Sequence, residues 1–181
     1  MGDSATEVRN VLQKFQDGYT ARDLTTVDEF MDLFVSSSDT ELIGIGASTR
    51  GGNEWFQGSE KIREIVESDW TYWGEVRLDV EGAKITTLGD AAWLSTSGGL
   101  VQTKTFDEAL GFDIDQMKEL LDDDGVDKHH RLMDATHFGM RRLWERGKGI
   151  GYSWTFVFTA VLIRIEGDWR FHTIHWSMPV D

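Results

Sequence analysis

The spacing of hydrophobic positions in the first 75 residues predicts three helices. Apolar side chains recur at helical intervals in three segments, at residues 6–22, 27–34 and 59–73. Between the second and third helices, residues 41–47 are typical of a short strand, and the Gly51–Gly52 pair predicts a turn after it. The third helix has one irregularity, because the carboxylate of Asp69 falls within its apolar stripe.

Beyond Gly74 the pattern changes to a period of two, which predicts antiparallel strands. Three alternating segments are separated by Glu-Gly and Gly-Asp turn signals, at residues 76–80, 85–88 and 93–101. The last 30 residues predict one long hairpin of residues 152–165 and 169–180, with Pro179 near the end of the final strand, where a strand tolerates proline. Its turn holds either two or three residues, so the faces of the strand at 152–165 stay open.

The final strand has two faces if its side chains alternate without interruption. One face then carries a set that includes a histidine, namely Trp169, Phe171, Thr173, His175 and Ser177. The other face carries Arg170, His172, Ile174, Trp176 and Met178. If helices cover only the first face, the second would leave three large apolar side chains in water, which favours a homodimer through that face, the one bearing Ile174, Trp176 and Met178.

A helical stretch at about residues 104–149 interrupts the series of strands. Its charge is segregated: residues 105–127 hold nine acids and one base, whereas residues 128–148 hold six bases and two acids. Opposite charges on two successive helices predict that they lie against each other as a hairpin. This insertion is either a lid over a pocket or an additional dimer surface.

Length and charge then limit the class of protein. A chain of 181 residues with 40% hydrophobic residues can bury a core without disulfides, and we expect one domain spanning residues 1–181. With no cysteine, thiol catalysis and thiolate metal sites are excluded. A net charge of −14 argues against binding nucleic acid or an anionic membrane. No leader or membrane-spanning pattern is present, so we expect a cytoplasmic protein.

Five short motifs resemble one known family. They are Ile43-Gly44-Ile45-Gly46, Glu54-Trp55-Phe56-Gln57-Gly58, Glu67-Ser68-Asp69-Trp70, Gly167-Asp168-Trp169-Arg170-Phe171 and His175-Trp176-Ser177-Met178-Pro179. Together they are similar to the SnoaL-like branch of the nuclear transport factor 2-like superfamily. The resemblance implies an α+β fold, a cone-shaped barrel in which three N-terminal helices pack on a curved, mostly antiparallel sheet. It also implies a pocket at the open end of the cone and a dimer.

That superfamily includes ketosteroid isomerase, scytalone dehydratase, polyketide cyclases, transport factors and a kinase association domain, so the fold does not fix the activity. Three functions are therefore considered. The first is a small-molecule-binding domain with an aromatic pocket, and the alternative is a cofactor-free general acid–base lyase or isomerase. The third is a dimerisation or association module. For all three we expect no metal and no cofactor.

Three residues could carry acid–base chemistry in the pocket. A carboxylate on an apolar stripe costs several kcal/mol unless it is paired or protonated, so Asp69 is either a general base or a structural acceptor for a Trp N–H, Arg77 or His175. His175 could relay a proton near neutral pH, or be an ordinary core histidine. Tyr19 could donate to a developing oxyanion, as a tyrosine does in ketosteroid isomerase, or simply pack in the core.

A second set of residues could line the pocket. Eight tryptophans supply flat apolar walls that suit a small hydrophobic or planar molecule, although a large aromatic core would need the same residues. The candidate ligand-binding residues are Trp55, Trp73, Trp93, Trp169, Phe171, Glu54 and Arg77.

Overall fold

The structure is a computed structural model that describes residues 3–47, 50 and 54–178. The predicted turn at Gly51–Gly52 and the position of Pro179 lie outside these residues. Five α-helices are present in this part of the chain: α1 (Ser4–Ala21), α2 (Val27–Met31), α3 (Ser59–Ser68), α4 (Phe106–Asp122) and α5 (Lys128–Arg146). A 3₁₀ turn, Leu24–Thr26, leads into α2, and a π-helical turn, Asp69–Trp73, continues α3.

The described residues also form seven strands. They are β1 (Glu41–Ile43), β2 (Trp55–Gln57), β3 (Glu75–Leu78), β4 (Lys84–Leu88), β5 (Ala91–Val101), β6 (Ser153–Ile165) and β7 (Asp168–Ser177). Their order in the sheet is β2-β1-β7-β6-β5-β3, and β4 pairs with the first half of β5 while β3 pairs with the second half. Among these seven described strands, β1 and β7 are the one pair that runs parallel, so the sheet is mostly antiparallel, as predicted. The helices pack on an open, curved sheet, and the fold is the expected cone-shaped α+β barrel.

Helix α1 fills the cone with the stripe that its sequence predicts. Asp3 caps its N-terminus, and four apolar residues at helical spacing within the predicted segment 6–22, Val8, Leu12, Phe15 and Tyr19, are 0% exposed. The ring of Phe15 lies 5.3 Å from those of both Phe158 and Phe171. Much of the aromatic content therefore forms the core between α1 and the sheet.

The turn between β6 and β7 settles the open question about the hairpin. Ile165 pairs with Asp168, so the turn has two residues, and Glu166 and Gly167 both have positive φ, 53° and 96°. Positive φ at both positions defines the type I′ turn that matches the twist of a hairpin. Glycine carries the second position without strain.

A β-bulge in β7 overturns the predicted faces of the final strand. Leu162 pairs with Phe171 while Val161 pairs with Thr173, so His172 is an extra residue on β7. An extra residue reverses the alternation beyond it. Phe171 and Ile174 consequently both point into the core.

Two sequence-based predictions are wrong because of this bulge. Ile174 and Trp176 are core residues, 0% and 2% exposed, and Met178 packs against the same core, so these three do not form an outer dimer face. His175 is exposed on the outside of the sheet instead of facing the interior.

The insertion forms the predicted hairpin of two helices. Thr105 and Glu108 make a capping box at the start of α4, and Asp127 caps α5. Asp113 of α4 lies 3.5 Å from Arg142 and 3.6 Å from Arg146 of α5. These ion pairs between the acidic and basic helices hold them antiparallel. Among the described helices, none is both long and apolar enough to cross a membrane.

Candidate functional site

A small cavity of about 70 Å³ lies between the end of α3, strands β1, β2 and β7, and helix α5. Its apolar wall includes Leu42, Ile45, Phe56, Ile65, Trp73 and Trp176. Its polar lining consists of Glu54, Asp69, Arg141 and Arg142. The cavity therefore combines aromatic and branched surfaces with two carboxyl groups and two guanidinium groups.

Asp69 occupies the point where α3 changes to a π-helical turn. Its backbone N–H donates to the carbonyl groups of Ile65 and Val66, and the five residues Asp69–Trp73 follow the wider π geometry. Such turns occur mostly as single local features and are frequent at functional sites. The Tyr19 hydroxyl, from the stripe of α1, donates a 3.0 Å hydrogen bond to Asp69 Oδ2.

Burial dominates the electrostatics of this carboxyl group. It raises the pKa of Asp69 from 3.8 to about 7, and the negative charge of Glu54 acts in the same direction. The Tyr19 hydrogen bond and the charge of Arg142 act against this rise but do not cancel it. Asp69 consequently exists in both protonated and ionised forms near neutral pH, which is the condition for a group that both accepts and donates protons.

Tyr19 is a hydrogen-bond donor throughout the ordinary pH range. Burial, together with the neighbouring charge of Asp69, raises the pKa of its phenol well above 10.0. The ring is 0% exposed and meets Trp70 edge to face. Tyr19 therefore holds one oxygen of Asp69 in place.

Glu54 is a carboxylate of a different kind. Its backbone has φ 58°, in the left-handed region, and its side chain accepts hydrogen bonds from the Gly46 N–H and from the Arg141 guanidinium. Burial acts to raise the pKa of Glu54, but these partners, Arg141 above all, outweigh it and hold that pKa below its usual value. Glu54 is thus ionised at neutral pH and joins α5 to the segment after β1.

The glycines of the Ile43-Gly44-Ile45-Gly46 motif make this contact possible. A Cβ at Gly44 would lie 2.9 Å from the Glu54 side chain, and one at Gly46 would lie 3.2 Å from Arg141 Nη1. The Gly44 N–H also donates to the Glu54 carbonyl over 2.6 Å. The motif allows the backbone of one segment to approach the other closely.

Helix α5 closes the cavity with charged side chains. Arg142 donates to Glu145 over 2.9 Å and faces Asp113, and Arg141 lies 3.7 Å from Glu145. Together with Arg146, three arginines face three acids, Glu54, Asp113 and Glu145. Each of these three acids has an arginine partner. Among the described residues, Asp69 forms no ion pair.

The structure brings together four of the residues predicted for the site. Asp69, Tyr19, Glu54 and Trp73 meet at or beside the cavity. The Asp69 side chain accepts from Tyr19, not from Arg77 or His175. Trp55 is half-buried on β2 next to Glu54, and its indole N–H is buried with no hydrogen-bond partner among the described residues.

Five other predicted residues lie elsewhere. His175 is exposed on the outer face of the sheet because of the bulge at His172. Trp93 is exposed on the same face because alternate side chains of β5 point outward at its position. Phe171 is wholly within the core. The last two are Trp169, whose N–H donates to Glu7 over 3.1 Å, and Arg77, which is exposed and paired with Glu75.

Sequence reasoning missed Arg141 and Arg142. The basic composition of residues 128–148 indicates that α5 carries cationic side chains. Which side of α5 faces the cone, however, depends on contacts between residues far apart in sequence, such as Glu54 and Arg141, which are 87 positions apart.

Comparisons with known proteins identify the fold. No protein-family model matches the chain, and no curated protein is similar to it in sequence. Among solved structures, it is similar to a proposed dehydratase of the NTF2-like family from Streptomyces avermitilis, with a TM-score of 0.61, 10% identity and coverage of 98% of this chain and 97% of the other.

Two further solved structures match over almost the whole chain. One is a nuclear transport factor 2-like superfamily protein from Salmonella enterica serovar Typhimurium, with a TM-score of 0.60, 15% identity and coverage of 98% and 92%. The other is a proposed calcium/calmodulin-dependent protein kinase II association domain from Xanthomonas campestris, with a TM-score of 0.60, 13% identity and coverage of 100% and 91%. The chain therefore has the nuclear transport factor 2-like fold, and at these identities the likeness carries no activity with it.

Proposed function

We propose that the cavity binds a small uncharged molecule and that Asp69 moves a proton on it, as in a cofactor-free lyase or isomerase. The observation that carries this proposal is the Asp69 carboxyl group, which lines the cavity beside its apolar wall, is held by Tyr19 and has a pKa raised to about 7 by burial. A general base works best when its pKa lies near the working pH. A carboxyl group placed in this way is a candidate for a catalytic acid–base group.

The chemistry requires one carboxyl group that acts first as a general base and then as a general acid. The ionised Asp69 accepts a proton from a carbon next to a carbonyl group, the C–H bond breaks, and its electron pair moves toward the carbonyl oxygen. Arg141 and Arg142 are the cationic groups of the cavity lining that can stabilise that oxygen. In an unsaturated ketone, Asp69 then returns the proton to the far carbon of a C=C bond conjugated with the enolate, which shifts the double bond and is isomerisation. In a hydroxy ketone, it returns the proton to the hydroxyl group on the next carbon while the enolate electron pair forms a C=C bond, the C–O bond breaks and water leaves.

The charge balance of the site supports an uncharged ligand. The three arginines of α5 are already opposed by Glu54, Asp113 and Glu145, so a ligand that is ionised before the reaction would have to displace one of these acids, whereas an uncharged ligand would not. An unpaired charge in a dry cavity costs several kcal/mol. The aromatic walls, among them Trp73 and Phe56, favour a planar or apolar body for the ligand.

The size of the cavity gives α5 a role in access. A volume of about 70 Å³ holds only a few water molecules or a small fragment. A metabolite with a ring requires the α4–α5 hairpin to move outward, which separates Arg141 from Glu54. The hairpin is therefore proposed to act as a lid, a role that loops and helices over active sites often have.

The fold neighbours are compatible with this proposal. The Streptomyces avermitilis neighbour is a proposed dehydratase, and dehydration is one of the two outcomes described above. The Xanthomonas campestris neighbour is a proposed association domain, a function that would need no cavity with an ionisable group.

The proposal is tested by proton exchange. Purified protein is incubated in D₂O with a panel of small uncharged ketones, and deuterium incorporation next to the carbonyl group is followed by NMR. We expect incorporation by the wild type and a loss of at least about 100-fold in Asp69→Asn, since general base catalysis contributes about 10²–10⁴-fold. Ligand-induced shifts in melting temperature measure binding separately.

His175→Ala is the matched control, because His175 is the other acid–base candidate of the sequence and lies on the outside of the sheet. We expect it to exchange protons at the wild-type rate. Equal losses in both variants, or wild-type exchange no faster than buffer for every ketone, would overturn the enzymatic proposal. Persistent thermal shifts in the latter case would leave a binding protein in its place.

A further inference from the structure

Asp113 of α4 is a carboxylate buried between two guanidinium groups of α5. Its Oδ1 lies 3.5 Å from Arg142 Nε, and its Oδ2 lies 3.6 Å from Arg146 Nε. The residue is 5% exposed, and these two contacts are the ion pairs that it makes with the described part of the chain. Removing an ion from water is costly unless an opposite charge lies close to it. Asp113 and the two arginines therefore depend on each other for charge balance.

Asp113 also offsets the repulsion between these two arginines. Arg142 and Arg146 are four residues apart on α5, so they lie on the same side of the helix. Burial lowers the pKa of Arg146 and the charge of Arg142 acts in the same direction, whereas Asp113 acts against this fall. The Arg146 guanidinium is also fixed to the body, because its Nη2 donates to the Tyr72 carbonyl over 3.0 Å. Asp113 thus gives Arg142 a partner within the α4–α5 hairpin.

Four charged or titratable groups face Asp69, from three parts of the fold. They are Tyr19 of α1, Glu54 before β2, and Arg141 and Arg142 of α5. The other lining residues, from α3, β1, β2, β7 and the turns beside them, carry no charge. Because Glu54 already pairs with Arg141, Arg142 is the cation whose position decides whether Asp69 gains an ion-pair partner. At its present distance the charge of Arg142 acts to lower the Asp69 pKa but does not outweigh burial.

The charges around the cavity balance when Asp69 is left out of the count. Three arginines oppose three acids, and these residues are Arg141, Arg142, Arg146, Glu54, Asp113 and Glu145. Without Asp113 one arginine would have no acid of its own. Besides Glu54, Asp69 is the one carboxyl group among the described residues of the lining, so it would become the partner of that arginine. An adjacent cation keeps a carboxyl group ionised, and Asp69 would then accept a proton less readily near neutral pH.

We infer that Asp113 is a positioning residue for the proposed reaction, because it keeps Arg142 within the α4–α5 hairpin and so leaves Asp69 without an ion-pair partner and able to exchange a proton. The inference rests on the proposed function, since Asp113 has a role in catalysis only if Asp69 moves a proton. Asp113 does not line the cavity and acts through Arg142. Both residues belong to the hairpin, so they stay paired when the proposed lid opens and closes.

The pairing is tested by titration of the Asp69 carboxyl carbon in ¹³C NMR, with Asp113→Asn compared to wild type. Loss of a nearby negative charge lowers the pKa of a carboxyl group, so we expect the midpoint to fall from about 7 by at least about 0.5 pH units. The matched control is Asp115→Asn, the same change two residues along α4, because Asp115 is exposed and pairs with Lys118. Solvent and salt screen this charge, so the control midpoint should stay within about 0.2 pH units of wild type.

A second pair of variants keeps the test available if Asp113→Asn does not fold, which circular dichroism will show. Arg146→Gln leaves two arginines against three acids, so it should raise the Asp69 midpoint. Adding Asp113→Asn to Arg146→Gln restores equal numbers and should return the midpoint to within about 0.2 pH units of wild type. The difference between these two proteins measures the effect of Asp113 in a background where no arginine lacks an acid.

Two results would overturn the inference. The first is an Asp69 midpoint that is the same in Asp113→Asn, Asp115→Asn and wild type. The second is an equal midpoint in Arg146→Gln and in the double variant. Neither result depends on turnover, so each can be told apart from a failure of the proposed function.

Proton exchange with the ketone panel, measured on the same proteins, separates the two proposals. If the wild type exchanges protons, the inflection of its exchange rate against pH should move downward in Asp113→Asn by the same amount as the NMR midpoint. Exchange by the wild type with unshifted midpoints would refute the role of Asp113 alone. A wild type that exchanges no faster than buffer, with a shifted midpoint in Asp113→Asn, would refute the proposed function and with it the catalytic role of Asp113.

Discussion

Helices α1 and α5 have similar lengths and similar apolar stripes, but they use them in opposite ways. The stripe of α1 is buried completely against the sheet, whereas the stripe of α5 is open to solvent and its charged side is turned inward. The difference is one of environment: α1 lies inside an apolar cone, and α5 closes a mouth that already contains Glu54 and Asp69. A hydrophobic pattern therefore predicts that a helix exists more reliably than it predicts which side packs inward.

The largest expected effect on stability comes from removing a large side chain from the core between α1 and the sheet. Phe15→Ala removes a ring that contacts Phe158, Phe171 and Trp176, and large-to-small changes of a buried Phe cost about 3–5 kcal/mol. We expect a loss of that size in the free energy of unfolding, measured by urea denaturation. A loss below about 1 kcal/mol would contradict the tight packing of this core.

The next effect depends on pH and comes from Asp69. Its pKa is raised on folding to about 7, so between about pH 4 and pH 7 the folded chain holds a proton that the unfolded chain releases. The stability of the wild type must then fall as the pH rises through this window because of this group. Asp69→Asn removes the cost of ionising this buried carboxyl group, and we expect the variant to be more stable than wild type by about 4 kcal/mol at pH 8.

The pH series contains its own control. Below about pH 4 Asp69 is protonated in both states, so the stabilisation by Asp69→Asn should largely disappear there. A difference between the variant and the wild type that stays constant from pH 4 to pH 8 would show that Asp69 does not titrate in this range.

A smaller effect is expected where α5 is tied to the body. Glu54→Gln removes the charge that faces Arg141 in a partly buried pair, and we expect a loss of about 1–2 kcal/mol in unfolding free energy. Restoring neutrality with Glu54→Gln plus Arg141→Gln should recover part of this loss. The absence of coupling in this double-mutant cycle would mean that the pair does not hold the hairpin down.

The smallest effect is expected on the exposed stripe of α5. Leu143→Ser changes a side chain that is mostly in water, so the unfolding free energy measured at a concentration too low for association should change by less than about 0.5 kcal/mol. This result, set beside the loss in Phe15→Ala, would quantify the contrast between the two stripes. A loss of more than about 2 kcal/mol would show that the stripe is buried within a single copy.

Much of the fold follows from local pattern. The α1 stripe, the strands after Gly74 and the hairpin of the insertion all depend on spacing and charge that neighbouring residues define. Asp69 was identifiable for the same reason, as a carboxylate where the helical period calls for an apolar residue. The sequence therefore identified one residue of the candidate site, Asp69, from local pattern.

The remaining features depend on long-range pairing. A single bulge at His172 exchanges the faces of the final strand, which moves His175 outward and Trp176 into the cavity wall, and no local hydrophobic signal marks it. The approach of Arg141 to Glu54 depends on how the insertion folds back over the mouth of the cone. Periodicity along the chain contains no information about either event.

Whether Asp69 can exchange protons near neutral pH is tested most directly by titration of its carboxyl carbon in ¹³C NMR, with Asp69→Asn used to assign the signal. We expect a midpoint near pH 7, because burial raises the pKa of this group to about 7. A midpoint near pH 4, the ordinary value for an aspartate in water, would contradict it and would remove the basis for acid–base chemistry in this cavity.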